Sequence, residues 1–402
     1  MTKGNVVIGQ SGGPTAVINQ SLVGAVEMLR DRGSVGRILG ARHGVRGIVE
    51  ENFTDLKKVP KRILEAVAKT PAAALGSSRD KPDEAYCRKI FEVFEKYDVR
   101  HFFYIGGNDS ADTARIVNEL AKAGDYELRT FHIPKTIDND LRVTDHCPGY
   151  GSAARFVASA FMGDDRDVAA LPGVKINVVM GRHAGWLTAA STLGRGDRND
   201  GPHLVYVPEV PFVLTRFISD VKEVYGRLGR CQIAVSEGVA DKSGAAIVQV
   251  LAGKLGKKVE LDSHGNVQLS GSGTLGDFLA DYIKVRLGGR KRALRVRADT
   301  FGYLQRSFVG CASPVDQIEA RIVGRRAAQY AMAGDVDGSV ALNRLGGKTY
   351  KIGYFRAELK DVAREIKHMP RGFINKRGNG VTALFSRYAT PLIGKLPVLG
   401  RL

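Results

Sequence analysis

Short apolar runs rich in β-branched and aromatic residues recur along this chain. Each runs straight into a glycine-bearing turn and then into a helical pattern. VVI at 6–8 enters GQSGGPT, and behind it Val17, Ile18, Leu22, Ala25, Val26 and Leu29 share one helical face. HFFYI at 101–105 enters GGNDS and then ADTARIVNELAKAG, with Ser110 placed to cap that helix and Gly124 to stop it. LRTFHIP at 128–134 enters KTIDND, and INVVM at 176–180, HLVYV at 203–207 and QIAVS at 232–236 repeat the arrangement. The alternation predicts an α/β fold with mainly parallel sheets covered by helices on both faces. In such sheets ligands collect beyond the carboxyl ends of the strands, where these turns fall. At 402 residues the chain is long enough for two lobes rather than one.

Composition removes several function classes. No stretch approaches the ~18 consecutive apolar residues that span a bilayer. The start, MTKGNVVIGQ, lacks the apolar core of a signal peptide, so a cytoplasmic protein with no membrane partner is expected. Cys87, Cys147, Cys231 and Cys311 lie far apart with no CxxC pair, which argues against zinc-ribbon, thioredoxin-like and disulfide-framework readings. The net charge of +18 is spread along the chain and is densest in RLGGRKRALRVR at 286–297. Aromatic and basic residues do not interleave and no DNA-reading module is present, so the excess reads as a solvated basic surface without a nucleic-acid partner. A field of that sign also suits polyphosphate substrates. The tail, PRGFINKRGNG and then TPLIGKLPVLGRL, carries no motif and reads as an extended wrap or contact surface.

The turns carry the chemistry. GQSGGPT at 9–15 offers bare backbone amides at a helix N-terminus, which suits a phosphate, although tight strand-to-helix turns also need glycine on steric grounds alone. It is not GxGxxG, and GGKT at 346–349 has Leu342 where a Walker loop needs its first glycine. PKTIDND at 134–140 places Lys135, Thr136, Asp138 and Asp140 within six residues. In extended geometry Asp138 and Asp140 point the same way, one able to hold Mg²⁺ while the other accepts a proton from a hydroxyl nucleophile. Pattern alone leaves an aspartate-rich turn with Asx bonds as an equal account. Arg79, Arg182, Arg297 and Arg306 all sit beside glycines or strand ends, and guanidinium groups grip phosphate oxygens bidentately.

Taken together, SGGPTAVIN, GSSR, GGNDS, PKTIDND, MGRHAGW, SEG and GYLQR resemble the phosphofructokinase family in order and rough spacing, over residues 6 to 314, about three quarters of the chain. Members that use ATP typically read GGDGS or GGDGT in the second turn and PGTIDND in the third. Members that use pyrophosphate typically carry an acid and a lysine in place of those two glycines. Here the positions hold Asp109 and Lys135, so the resemblance is to the pyrophosphate-dependent branch. It implies that Asp109 puts bulk and negative charge where a nucleotide's α-phosphate would sit, and that Lys135 offers its ammonium to the outer phosphate of pyrophosphate.

The resemblance further implies the roles of single residues. Asp138 is the general base for the 1-hydroxyl of fructose 6-phosphate, and Thr136 and Asp140 contact the reacting end of the sugar phosphate. Gly12, Arg79, Asp109, Ser110 and Lys135 surround pyrophosphate and its Mg²⁺, with Asp109 on the metal. Met180, Gly181, Arg182, Glu237, Arg297, Tyr303 and Arg306 line the sugar-phosphate pocket or bridge to the donor. The implied fold is two doubly wound Rossmann-like lobes with the active site in the cleft. Residues 1–150 and 305–365 would form the phosphoryl-donor lobe, and 151–304 and 366–402 the sugar-phosphate lobe. Family members assemble as homodimers or homotetramers with shared sites, and Arg297 is the residue to reach across. The transfer would be reversible and belong to glycolysis. Two departures stand out: Asn108 replaces the aspartate common at that point of the second turn, and Gly173 replaces an arginine of the ATP-using bacterial members, with Lys175 nearby. The rival readings are an ATP-dependent phosphofructokinase, a pyrophosphate-dependent kinase preferring sedoheptulose 7-phosphate, and a non-catalytic regulatory subunit.

Overall fold

The computed structural model describes residues 3–256, 273–289, 293–347, 349–363 and 366–400. Residues 290–292 of the basic stretch and Lys348 of GGKT lie outside the described residues. Eleven strands follow one another along the described chain: β1 (Gly4–Gln10), β2 (Val35–Ala41), β3 (Phe53–Asp55), β4 (Val99–Gly106), β5 (Arg129–Pro134), β6 (Val174–Val179), β7 (Leu204–Tyr206), β8 (Cys231–Ser236), β9 (Val296–Thr300), β10 (Asp337–Arg344) and β11 (Ile352–Ala357). The chain divides into two compact units, Met1–Ala153 with Arg306–Lys367, and Ala154–Gln305 with His368–Leu402.

The first unit is built on a seven-stranded sheet in the order β11-β10-β5-β4-β1-β2-β3. The five central strands run parallel, and β3 and β11 close the two edges antiparallel. Fully buried strands must be apolar throughout, and Val6, Val7 and Ile8 of β1 and Phe102, Phe103 and Ile105 of β4 are all inaccessible to solvent. The helical face read from the sequence packs as the pattern requires: Val17, Ile18, Leu22, Ala25, Val26 and Leu29 are buried, with helix Ile18–Arg30 lying over the sheet core. Beside it, in the same core, packs helix Pro314–Ala333, which starts with proline at its first turn. The two backbones touch where Gly24 faces the Arg321 carbonyl and Gly324 faces the Ser21 carbonyl, with no room for a methyl at either.

The order of this sheet decides where a ligand can sit. The chain crosses from β1 to β2 on one side and returns to β4 on the other, so a topological switch point lies between β1 and β4. Register puts Gln10 opposite Ile105, and Ile105 opposite Ile133. The three glycine or lysine turns at 11–13, 106–110 and 134–136 therefore lie side by side at the carboxyl ends of three adjacent strands.

The second unit has a four-stranded parallel sheet in the order β7-β8-β6-β9. Helices Leu214–Leu228, Ile247–Leu255 and Thr274–Leu287 carry its core, with Phe217, Val221, Leu251, Leu279 and Ile283 buried against Ile176 and Ile233. No helix among the described residues is long and apolar enough to cross a membrane.

Two local expectations are corrected. Helix Asn108–Ala123 is capped by Gly107, not Ser110, which lies inside the first turn with its hydroxyl bonded to Ser11. Gly124 does end it. The tail is not extended throughout: it forms helix Ala383–Ile393, whose Phe385, Ala389, Leu392 and Ile393 are buried. Glycine, proline and charge marked the flanks of that segment but hid the apolar stripe between them.

Candidate active site

The first unit assembles its site from backbone outward. The Ser11 amide extends the ladder by donating to the Ile105 carbonyl at 2.9 Å, and the Gly12 amide donates to the Ser78 carbonyl at 2.8 Å. Ser77 returns a hydroxyl bond to the Gly12 carbonyl at 2.6 Å. Gly12 has φ +72°, a left-handed conformation that favours glycine. These bonds place Arg79, an exposed side chain, directly behind the first turn. Gly106 must be glycine because the Ser11 and Ser110 hydroxyls meet over it, leaving no space for a Cβ.

Lys135 lies beneath the first turn. Its side chain is buried, and Nζ donates to the Gly13 carbonyl at 2.7 Å. A Cβ built on Gly12 would stand 3.2 Å from Nζ, and one on Gly13 would stand 2.8 Å from Cζ of Arg306. The bare glycines thus let one ammonium and one guanidinium converge on the same stretch of backbone. Burial pushes the Lys135 ammonium down to about 7, and the nearby Arg306 and Arg79 charges push the same way, against Asp138 and Asp140. A lysine whose charge is disfavoured by burial and held near arginines is a site short of negative charge.

The 136–140 segment is not extended. Asn139 adopts φ +54°, so the two-residue periodicity that would align Asp138 with Asp140 does not apply. The Thr136 hydroxyl accepts from the Asp138 amide at 3.1 Å and donates to the Asp140 carboxylate at 3.2 Å. Asp140 thus orients Thr136, whose hydroxyl in turn fixes the Asp138 amide. Asn139 explains why the turn takes this path: its buried Oδ1 accepts from the Cys147 amide at 3.0 Å, which needs the left-handed backbone that asparagine tolerates.

Asp109 projects from the first turn of its helix. Its side chain is 65% exposed and pairs with Lys81 at 3.2 Å. A carboxylate there is stabilised by the helix dipole and occupies the positive end that would otherwise attract a phosphate. Its neighbour Asn108 has a side-chain oxygen buried with no hydrogen-bond partner. Among the described residues no three His, Cys, Asp or Glu side chains converge on a metal position.

In the second unit, the carboxyl ends of β6 and β8 bring Met180, Gly181 and Glu237 together. The Glu237 amide donates to the Val179 carbonyl at 2.9 Å, and the Met180 amide donates to Gln305 at 3.2 Å. Gly181 has φ +133°, and its carbonyl accepts the Ser236 hydroxyl at 2.6 Å. Arg182 is exposed one residue further on, and Tyr303 is half exposed in the turn behind β9. Arg297 is not brought to this group. It lies on edge strand β9 opposite Lys175, five positions before Met180, or ~16 Å along the strand, with its side chain in solvent. Gly173 approaches the Arg295 backbone too closely for a side chain, a Cβ there meeting the carbonyl at 2.7 Å. Lys175 is tied to Asp164 at 3.3 Å and to Asp299, so it does not extend outward in place of an arginine.

A family model described as phosphofructokinase matches residues 5–331. The chain belongs to the phosphofructokinase family. It is a phosphotransferase, like the relatives to which it is similar over most of its length. Over 98% of its length it is 56% identical to a pyrophosphate–fructose 6-phosphate 1-phosphotransferase of Rhodospirillum rubrum, covering 95% of that protein. A pyrophosphate–fructose 6-phosphate 1-phosphotransferase of Xanthomonas campestris is 39% identical over 99% of this chain and 94% of its own. Among solved structures, the pyrophosphate-dependent phosphofructokinase of Marinobacter aquaeolei superposes with a TM-score of 0.85 at 31% identity, over 99% of this chain and 94% of that one. The two Rossmann-like sheets are thus those of the phosphofructokinase fold.

Sequence reasoning missed several residues around these turns. His132 is fully buried below Gly106, with Nε2 2.9 Å from the Gly106 carbonyl and Nδ1 2.8 Å from the Ser339 hydroxyl. The carbonyl can only accept, so Nε2 carries the proton and Ser339 donates to Nδ1. Burial pushes its pKa down to about 4, keeping the ring neutral as that pairing requires. Gln305, which holds the Met180 amide in the second unit, and Lys81, which pairs with Asp109 in the first, were likewise invisible, since only the fold of each unit brings them to these turns. The one local hint was the glutamine inside GYLQR.

Proposed function

We propose that this phosphofructokinase-family chain transfers a phosphoryl group from pyrophosphate to the 1-hydroxyl of fructose 6-phosphate, reversibly, giving fructose 1,6-bisphosphate and orthophosphate. The observation that carries this reading is the pair Lys135 and Asp109: a buried ammonium under the Gly12–Gly13 turn and a carboxylate on the helix end beside it. The ammonium gives a short anion its counter-charge, whereas the carboxylate repels a longer one that would run along the helix N-terminus. The names of the relatives support the same donor and acceptor.

In this mechanism Arg79, Ser110, Gly12, Lys135 and Arg306 hold pyrophosphate on the first unit, the donor lobe. Met180, Gly181, Arg182, Glu237 and Tyr303 receive the sugar phosphate on the second unit, the acceptor lobe, and Arg297 contributes from a neighbouring subunit of a homodimer or homotetramer. Asp138 takes the proton of the 1-hydroxyl as its oxygen bonds to phosphorus and the bridging P–O bond breaks. Thr136, aligned by Asp140, positions that end of the sugar. Catalysis is then mostly orientation and charge neutralisation by preorganised groups.

The orphaned Asn108 oxygen and the Asp109 carboxylate are hard oxygen donors and fit Mg²⁺, which takes few protein ligands and fills its shell with water and phosphate oxygens. When bound, Mg²⁺ would neutralise the phosphate oxygens. Asn108 brings an oxygen without charge, so Asp109 supplies the carboxylate, and Lys81 is its counter-ion without the metal.

Product formation from fructose 6-phosphate and Mg²⁺ with a single donor tests the reading. Turnover is expected with pyrophosphate and not with ATP. Turnover with ATP alone would discard it, and activity confined to sedoheptulose 7-phosphate would change the acceptor. The double variant Asp109→Gly, Lys135→Gly is expected to gain ATP-supported turnover while losing most of its pyrophosphate activity. No gain with ATP in a folded variant would reject occlusion as the role of Asp109.

A further inference from the structure

We infer that Glu209 is a positioning residue for the sugar-phosphate turn Gly181–Gly185, and that it acts by tethering this turn to the C-terminal segment. The inference rests on the proposed acceptor role of Met180, Gly181 and Arg182. Glu209 follows β7, and its carboxylate faces two separate stretches of chain. Oε1 accepts from the Gly185 amide at 2.9 Å and from the Met369 amide at 3.0 Å, and Oε2 accepts from Gly185 at 3.2 Å. Gly185 is glycine for this contact: a Cβ there would stand 2.8 Å from Oε2 and collide with Val207.

A second tether lies beside it. The His183 carbonyl can only accept, so the bond at 3.0 Å is donated by Nδ1–H of His368. The turn is thus pinned at Gly181 by Ser236 and at its far end by Glu209 and His368, while the Arg182 and His183 side chains stay exposed between the pins. Charge-assisted bonds to a carboxylate are stronger than neutral ones, and a carboxylate offers only acceptors where two N–H groups point at it.

The C-terminal segment is itself anchored in the second unit. The Asn379 carbonyl accepts from the Val205 amide at 2.9 Å, and Arg377 pairs with Asp220 at 2.6 Å. Its aromatic rings close on Trp186, which directly follows the turn: Phe373 lies at 6.0 Å and Tyr388 at 5.3 Å between ring centroids. A segment with no motif in the sequence therefore holds the backbone that carries Arg182. Trp186 is the single tryptophan of the chain, so its emission reports on that packing.

The test uses full-length Glu209→Met, which keeps the length of the side chain but leaves the Gly185 and Met369 amides without their shared acceptor. The KM for fructose 6-phosphate is expected to rise about tenfold, with the KM for pyrophosphate within about twofold and acrylamide quenching of Trp186 increased. His368→Ala removes the other tether from an exposed ring that bears no core load, and is expected to raise the same KM roughly threefold. An unchanged sugar-phosphate KM in both variants, an equal rise for both substrates, or unaltered Trp186 quenching would overturn the inference. Wild-type protein silent with pyrophosphate and fructose 6-phosphate would instead reject the proposed reaction, while the Trp186 readout would still decide whether the tether exists.

Discussion

Asp138→Asn is expected to lower kcat by roughly 10²–10⁴-fold, the span that a positioned general base supplies. Asparagine matches the shape of aspartate, and the bond that fixes the turn uses the main-chain amide of residue 138, donating to Thr136. The loop should therefore keep its path, and dissociation constants for the sugar phosphate should stay within about threefold, because the lost interaction is made only as the proton moves. Single-turnover kinetics with isothermal titration of fructose 6-phosphate separates the two quantities. A kcat within about threefold of wild type would remove Asp138 from the base role.

Lys135→Met is expected to do two opposite things: lower pyrophosphate-supported kcat/KM by roughly 10²–10³-fold and raise the melting temperature. The stabilising half follows from burial. Lys135 titrates near 7 in the folded chain against 10.5 for a free lysine. Between those values the unfolded state binds the extra proton, so this group makes stability increase as pH rises from about 7 to about 10.5, and its cost is greatest below 7. Methionine has similar length and no charge to desolvate. The variant should therefore gain most in melting temperature at pH 6 and little at pH 10, a dependence that differential scanning calorimetry resolves.

The same burial links donor binding to protons. With Lys135 holding the donor as proposed, anion binding restores the ammonium, so wild-type protein should take up more protons at pH 8 than at pH 6 beyond the uptake of Lys135→Met under identical conditions. Titrations in two buffers of different ionisation enthalpy measure that difference. Equal uptake by the two proteins at pH 8 would place Lys135 outside the anion site.

Six strands were legible because a parallel sheet buried on both faces demands short, mostly apolar runs, and VVI, HFFYI, TFHIP, INVV, LVY and QIAV all supplied one. β2, with two exposed positions in VGRILGA, and β11, half exposed on the sheet edge, gave no such run. The glycine turns were legible as strand-to-helix junctions at the carboxyl ends of the strands. Their internal shapes were not: the left-handed Asn139 broke the spacing argument for Asp138 and Asp140, because a single positive φ resets which way every later side chain points.

The sequence by itself determined the α/β class, the position of the turns and, through resemblance, the family, because each depends on residues close together in the chain. Only the tertiary structure decided that Lys135 lies beneath Gly12 and Gly13, that His132 supports Gly106, and that Met369 shares the carboxylate of Glu209 with Gly185. Those partners are separated by 122, 26 and 160–184 positions or lie across a sheet whose strand order is not the chain order. A buried polar group must find a partner wherever the fold places one, and spacing along the chain carries no record of that choice.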